Sequence, residues 1–134
     1  MLATTLTIRD ESTFRRATTP VVWILPVPKK RMTLRELIKA RVYREVEEYN
    51  SRQSETYRGL VQPSDAERTL NGWKLPKGQT INAETQFQKA LLLFKSNGFI
   101  LLVDDRQVDD LEEEVEIGPE TSLTFLKLVP LVGG

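Results

Sequence analysis

Two adjacent glycines at the end of an apolar stretch are the residues of this chain best suited to chemistry. Gly133 and Gly134 follow residues 123–132, which are rich in Leu, Val and Phe and are typical of a final strand and its stalk. A glycine carboxylate on an extended stalk has no side chain to hinder it, so an enzyme could activate it with ATP and pass it to a nucleophile. Gly134 is therefore a candidate acyl donor, and the case for it rests on the residues that precede the pair. If Gly134 is the encoded terminus, no protease is needed to expose it.

Composition excludes several classes of protein. The chain has no cysteine and no histidine, which excludes disulfides, thiolate nucleophiles, Ser-His relays and nearly all structural zinc sites. Nineteen basic residues balance nineteen acidic ones, so no overall field favours nucleic acid or an anionic membrane. The acid-rich run 104–114 lacks the glycine and the alternating spacing of a calcium loop. We expect no enzyme, no catalytic residue, no bound cofactor, no metal site, no nucleic-acid partner and no membrane partner.

Hydropathy gives an expectation about location. No apolar run of the sequence approaches the roughly 20 residues that span a bilayer. The first residues also lack the charged start and the long apolar core of a signal peptide. A chain of 134 residues has room for one domain with a real core. These observations predict a soluble, cytoplasmic protein with a single domain.

Hydrophobic spacing predicts an α+β fold. A capping box of Thr33 and Glu36 begins a two-faced helix that runs to about residue 50. Asn82 caps a second helix, for which Gly98 is the expected left-handed stop. Strands are expected at 2–8, Val21–Val27, Phe99–Val103, Arg106–Val108 and from 123 to near Pro130, with a polar turn at 9–13.

The stretch between the two helices differs from the rest in composition. Residues 51–80 are polar and are interrupted by glycine and proline, with a short capped helix expected at 64–67. With the second helix they form an insertion of about 51–98. Trp73 within it is expected to tie the insertion to the body of the protein.

The order of elements, read with a few local motifs, resembles ubiquitin and its ubiquitin-like relatives. The resemblance is carried by the apolar run 99–103, the step from Arg106 to Asp109, and the apolar residues Leu111, Ile117 and Leu123. The helix start at 33–38 is similar to that of ubiquitin, and the insertion has no counterpart there. The resemblance implies a β-grasp fold, a mixed sheet wrapped around a helix. It also implies one ubiquitin-like domain over 1–134, with the insertion before the third strand and a flexible tail of about 129–134.

The resemblance also implies a function. A ubiquitin-like modifier is activated at its Gly134 carboxylate by an E1-like enzyme that uses ATP, is passed as a thioester to an E2-like enzyme, and is conjugated to a target protein. The large insertion and the Pro-Leu-Val-Gly-Gly end resemble those of ubiquitin-like proteins from bacterial operons that also encode E1-like enzymes, E2-like enzymes and JAB-like deconjugating peptidases. The activating enzyme would recognise Pro130, Leu131 and Val132, where ubiquitin is arginine-rich. Leu102 and Leu126 fall on the partner-binding patch of ubiquitin.

Two other functions are compatible with the sequence. A sulfur carrier, similar to the small β-grasp proteins of thiamin and molybdopterin synthesis, would convert the same terminus to a thiocarboxylate. A non-covalent β-grasp adaptor would not use the glycines. Within the modifier hypothesis, Leu131 and Val132 could fold onto the body, and the insertion could cover Leu102 and Leu126.

Overall fold

The structure is a computed structural model that describes residues 4–13, 20–52, 55–69 and 72–128. The predicted tail, with Pro130, Leu131, Val132, Gly133 and Gly134, lies outside these residues. The elements follow in the order β1 (Thr4–Ser12), β2 (Val21–Val27), β3 (Arg31–Thr33), α1 (Leu34–Arg52), β4 (Glu67–Thr69), β5 (Gly72–Lys74), α2 (Ala83–Lys95), β6 (Phe99–Val103), β7 (Arg106–Val108), β8 (Glu114–Glu116) and β9 (Ser122–Lys127). The predicted α+β class is confirmed. Contacts divide the chain into two compact units, Met1–Leu37 with Leu93–Gly134, and Ile38–Leu92.

The first unit contains a five-stranded mixed sheet. Its strand order is β2-β1-β9-β6-β7, in which β1 and β9 are parallel and every other neighbouring pair is antiparallel. The expected strands at Val21–Val27, Phe99–Val103 and Arg106–Val108 are confirmed. Strand β9 lies in the middle, so the last described strand is held on both sides.

Strand alternation separates the two faces of this sheet. The inward-facing residues lie opposite one another in the register, and their burial makes them the core of the first unit. Phe99 stacks at 5.8 Å from Phe125 and 5.7 Å from Phe94, measured between ring centroids. The buried inward-facing residues are Leu6, Ile8, Leu25, Val27, Phe99, Leu101, Val103, Val108, Leu123 and Phe125.

Strand β1 is longer than the sequence predicts. The polar residues from Arg9 to Ser12 were expected to turn, but each of them pairs with a residue of β9 in the parallel ladder. The Thr13 amide continues this ladder by donating to the Lys127 carbonyl at 3.1 Å. Tertiary pairing therefore overrides the weak strand propensity of these polar residues. Strand β2, which contains Pro26, lies at an edge of the sheet, the position in which proline is usually found in sheets.

The start of α1 is fixed by side chains and by a distant loop. The Glu36 amide donates to Thr33 Oγ1 at 3.1 Å, and the Thr33 amide donates to Glu36 Oε1 at 2.9 Å, so the predicted capping box is confirmed. The amides of Leu34 and Arg35 donate to the carbonyls of Glu113 and Leu111 at 3.0 and 2.9 Å. Four amides at the helix start thus have partners, although none of them donates to a backbone carbonyl of the helix.

Strands β3 and β8 were not predicted. Residues Glu114–Glu116 form an antiparallel pair with Arg31–Thr33. Val115 lies opposite Met32 in this register, and both side chains are buried. Three residues are too few for alternation to be recognised in sequence, so the pairing depends on the tertiary contact.

The capping box predicts a dependence of stability on pH. The Thr33 amide, together with Lys29 Nζ at 2.9 Å, holds the pKa of Glu36 below its ordinary value of 4.5. The stability that this carboxylate contributes is therefore complete above pH 4.5 and is lost as the pH falls through the lowered pKa. We expect Glu36→Gln to lower the free energy of unfolding at neutral pH, and this difference should shrink in acid. Urea unfolding of both proteins across this pH range measures it.

Glu47→Gln is the matched control, because Glu47 is an exposed glutamate of the same helix. A difference between Glu36→Gln and the parent that stays constant from neutral to acidic pH would contradict the role given to the charge of Glu36.

Helix α2 begins as predicted but ends one residue earlier. Asn82 Oδ1 accepts from the Thr85 amide at 2.9 Å, which confirms Asn82 as the cap. The left-handed residue at the other end is Asn97, with φ of 62°, and not Gly98. The Gly98 amide instead donates to the Leu93 carbonyl at 2.8 Å, the pattern of a Schellman motif with asparagine in the left-handed position. A Cβ at position 98 would lie 2.5 Å from the Leu93 side chain, which accounts for glycine there.

The second unit contains a hairpin in place of the short helix expected at 64–67. Strands β4 and β5 pair, and Tyr57 extends the pairing by exchanging backbone hydrogen bonds of 2.7 and 2.8 Å with Trp73. The two rings lie 6.3 Å apart. Gly72 has φ of 152°, and a Cβ there would lie 2.4 Å from the Tyr57 carbonyl oxygen. The hairpin is therefore determined by close backbone approach, which local sequence does not reveal.

Buried polar side chains hold the second unit together. Arg41 is only 2% exposed, and its Nη2 lies 3.1 Å from Oε2 of Glu45. The other carboxylate oxygen of Glu45 accepts from the Leu60 amide at 3.1 Å. Gln86 of α2 donates to the Val61 carbonyl at 2.8 Å. The network joins both helices to the segment around residue 60. Burial, with the charge of Glu45, raises the pKa of Tyr57 far above its ordinary value.

Candidate functional site

The two leucines predicted to form a partner-binding patch lie on the same face of the sheet. Leu102 of β6 is paired with Thr124 of β9, and Leu126 of β9 is paired with Ile100 of β6. Because alternate residues share a face, Leu102 and Leu126 are diagonal neighbours on the face opposite the core. Both side chains are partly exposed, so neither is a core residue.

Ile100 belongs to the same patch and was missed in the sequence. It is the direct cross-strand partner of Leu126 and is partly exposed. Its outward position could not be predicted because all residues of β6 are apolar, and such a run does not indicate which side chains point outward. We call Ile100, Leu102 and Leu126 the outer apolar cluster.

Polar side chains surround the outer apolar cluster. The parallel register places Arg9 beside Thr124 and Glu11 beside Leu126, and Arg9 Nε lies 3.5 Å from Glu11 Oε2. Gln107 of β7 lies opposite Leu102 on the other flank. An apolar centre with a polar border is the usual composition of a protein-binding surface.

The same face continues to the edge strand. Val22 and Ile24 of β2 lie opposite Arg9 and Thr7 of β1 and are 53% and 54% exposed. They are the most exposed apolar residues on this face. Apolar side chains thus occur on both sides of the Arg9–Glu11 pair, and the face has two apolar areas separated by one ion pair.

The described chain is held by backbone hydrogen bonds up to Leu128. The Leu128 amide donates to the Gly98 carbonyl at 3.1 Å, and Lys127 lies opposite Phe99 in the ladder. The predicted acyl donor Gly134 comes six residues after Leu128. Gly133, Gly134 and the tail residues expected to be recognised, Pro130, Leu131 and Val132, lie outside the described residues.

Comparisons of the chain with protein-family models, with curated proteins and with solved structures gave no match.

The acid-rich run forms ion pairs with arginines. Arg106 Nη2 lies 2.7 Å from Glu113, and Arg35 Nη2 lies 2.8 Å from Glu112. Arg31 pairs with both acids of β8, and the hydrogen bond and charge of Glu116 raise the pKa of Arg31. Within the described ranges, no group of three or more acidic side chains could hold a metal ion. In that same part of the chain, no helix has the length and apolarity to cross a membrane.

Proposed function

We propose that this protein is a ubiquitin-like modifier of the β-grasp fold, conjugated through Gly134. The observation that carries the proposal is the position of Gly133 and Gly134, five and six residues after Leu128, which directly follows the central strand of the sheet. Gly134 would act either as the encoded last residue or after a protease has removed the residues that follow it. The expected setting is the bacterial cytoplasm, with an E1-like enzyme, an E2-like enzyme, a JAB-like peptidase and target proteins as partners.

The β-grasp assignment is supported by the connection of the sheet and the helix. The first and last strands, β1 and β9, are parallel neighbours at the centre of a mixed five-stranded sheet. Helix α1 follows the β1–β2 hairpin and begins with the buried residues Leu34 and Leu37. A parallel pair needs a long crossover between its strands, and here the crossover contains both helices.

The proposed chemistry begins with the Gly134 carboxylate. An oxygen of the carboxylate attacks the α-phosphate of ATP, and pyrophosphate leaves, so that an acyl adenylate forms. A cysteine thiolate of the activating enzyme then attacks the carbonyl carbon and releases AMP, which gives a thioester. A thiol of the E2-like enzyme then attacks the thioester carbonyl, and the thiol of the activating enzyme leaves. A nucleophile of the target, a lysine amine or another group, finally attacks the same carbonyl and releases the thiol of the E2-like enzyme. The sulfur atoms belong to the partners because this chain has no cysteine.

The tail provides reach and steric access. Six extended residues span at most about 20 Å, which lets Gly134 enter a channel while the sheet stays outside. Glycine at 133 and 134 removes both Cβ atoms next to the reacting carbonyl. Pro130, Leu131 and Val132 give the stalk an apolar surface, so the groove of the activating enzyme should be apolar as well.

Reconstitution tests the proposal. The full chain is incubated with ATP and an E1-like enzyme encoded in the same genome, and pyrophosphate release and intact mass are measured. A modifier gives a thiol-sensitive adduct with the enzyme and later a stable adduct with another protein. Replacement of one carboxylate oxygen by sulfur, in the presence of a sulfur donor, would instead identify a sulfur carrier. Absence of both products with every such enzyme of the genome would leave the adaptor hypothesis.

The outer apolar cluster should contribute to partner binding. We expect Leu126→Lys to weaken binding to the activating enzyme by on the order of tenfold or more, because a charge would be buried in an apolar contact. The new lysine lies beside Glu11 in the register, so the fold should tolerate it. Calorimetric titration measures the affinity, and urea unfolding checks the stability.

Thr5→Lys is the matched control for this binding experiment. Thr5 is an exposed residue on the same face, opposite Pro26 at the far end of β1. Equal affinities of the two variants would exclude the outer apolar cluster from this interface.

A further inference from the structure

Strand β2 is the longer of the two edge strands of the five-stranded sheet, and its outer side is open. Within the described residues, no strand pairs with that side of β2. Its seven residues, Val21–Val27, include no charged side chain. The opposite edge, β7, has only three residues, and Arg106 there pairs with Glu113 at 2.7 Å. Proteins usually shorten or charge an exposed edge so that it does not pair with another chain. Strand β7 is protected in this way, whereas β2 is neither short nor charged.

Apolar side chains are exposed on both faces of β2. Val22 and Ile24 on the outer face are 53% and 54% exposed, and Val21, which alternation places on the core side, is 60% exposed. A partner lying on one face of the sheet could not cover both Val21 and Val22. A strand that lies along the edge contacts both faces at once. The exposure of β2 therefore fits the addition of a strand.

The hydrogen-bonding groups on the open side of β2 follow from the ladder of β1. The Thr13 amide donates to the Lys127 carbonyl. Because successive residues of a strand point their backbone groups to opposite sides, odd-numbered residues of β1 bond to β9 and even-numbered ones to β2. The even-numbered residues of β1 lie opposite odd-numbered residues of β2. The backbone groups of Val22, Ile24 and Pro26 thus face the open edge, where Pro26 offers only its carbonyl oxygen.

We propose that β2 pairs antiparallel with β2 of a second copy of this chain, which joins two five-stranded sheets into one. Overlap of all seven residues places Ile24 opposite the partner's Ile24. These two residues exchange a pair of backbone hydrogen bonds, and each Val22 amide donates to the partner's Pro26 carbonyl. No like charges are brought opposite each other, since the strand carries none. The pairing does not rest on conjugation through Gly134.

A second copy fits this edge better than an unstructured peptide does. Strand β2 of each copy is already extended, because β1 pairs with all seven of its residues. A peptide would instead lose backbone entropy at every residue that it orders on binding. The two-fold arrangement also keeps the outer faces of both sheets on the same side. Val22 and Ile24 of the two copies then form one apolar area across the new pair of strands.

The association state of the full chain tests the pairing. Seven strand residues extend over about 23 Å, and an interface of this small size is typical of weak complexes. We expect a monomer–dimer equilibrium with a dissociation constant of roughly 10 µM to 1 mM, measured by sedimentation velocity over a series of concentrations. Ile24→Lys should raise this constant by on the order of tenfold or more, because two like charges would lie directly opposite each other. An equimolar mixture of Ile24→Lys and Ile24→Glu should dimerise again.

Leu126→Lys is the matched control for the association experiment. It adds the same charge to the same face of the sheet, two strands away from the open edge, and it should leave the dissociation constant unchanged. Urea unfolding at low concentration checks that each variant is folded. A parent that stays monomeric up to about 1 mM would overturn the proposal and leave the edge to a strand of another protein. A dimer that survives Ile24→Lys, or that Leu126→Lys disrupts, would overturn it because the contact would then lie elsewhere.

Single cysteines provide a second measurement that leaves the charge of the strand unchanged. The chain has no cysteine of its own, so each variant has one thiol. Opposite residues that exchange hydrogen bonds lie about 5.5 Å apart between their Cα atoms, a separation that a disulfide can bridge. Oxidised glutathione should convert Ile24→Cys to a disulfide-linked dimer faster than Gln107→Cys, by on the order of tenfold after division by the reactivity of each thiol. Gln107 is the exposed middle residue of the other edge strand.

Equal rates for the two cysteine variants would overturn the proposal, since both edges would then meet only by collision. Neither experiment uses an activating enzyme or ATP. Failure of the pairing therefore leaves conjugation through Gly134 untouched, and failure of conjugation leaves the pairing untouched.

Discussion

Gly134→Ala should form a thioester with the activating enzyme at a rate lower by on the order of a hundredfold. The added methyl group lies on the carbon next to the reacting carbonyl, where displacement of about 1 Å costs a factor of this size. Pyrophosphate release and the thiol-sensitive adduct, both measured in single-turnover experiments, should decrease together. Because residue 134 comes six residues after the last described hydrogen bond, at Leu128, the urea unfolding curve should not change.

Thr5→Ala is a suitable control for this experiment, since it changes an exposed residue of β1 and leaves the tail intact. It should be activated at the parental rate. Full activity of Gly134→Ala would show that the diglycine is not the acyl donor. Deletion of Gly133 and Gly134 without loss of function in cells would favour the adaptor hypothesis instead.

Glu45→Ala should lower the free energy of unfolding by about 3 kcal/mol, because it removes the carboxylate of a largely buried ion pair. The Arg41 and Glu45 side chains are 2% and 14% exposed, and Nη2 of Arg41 lies 3.1 Å from Oε2 of Glu45. Glu45 also accepts from the Leu60 amide at 3.1 Å. Its loss therefore affects the helix and the following segment together. Urea unfolding monitored by tryptophan fluorescence measures the change.

The same helix offers a matched control in Glu48→Ala. Glu48 pairs with Arg44 at the same i, i+4 spacing and 3.3 Å, but the two side chains are 53% and 46% exposed. An exposed pair of this kind contributes roughly 0.5 kcal/mol or less. Equal effects of Glu45→Ala and Glu48→Ala would contradict the importance given to burial. The double variant Arg41→Met with Glu45→Leu should recover much of the lost stability, since it leaves no charge without its partner.

Local signals in the sequence predicted the helix starts and five of the strands, three of them with the bounds that the structure shows. The capping residues Thr33, Glu36 and Asn82 act through hydrogen bonds within a few residues, so the pattern contains all the information needed. The failures involve distant partners. Strand β8 exists because it pairs with β3, and β1 continues to Ser12 because it pairs with β9. No window of sequence contains both members of such pairs.

By itself, the sequence determined the α+β class and the caps of the two helices, and it indicated the chemistry for which Gly133 and Gly134 are suited. These properties follow from residue type, which is local. Only the tertiary structure decided that Ile100 joins Leu102 and Leu126 on one face, and that Arg41 is buried with Glu45. The register of two strands chooses which side of an entirely apolar run points outward. Burial of a charge depends on what packs around it, and residues far apart in the chain decide that.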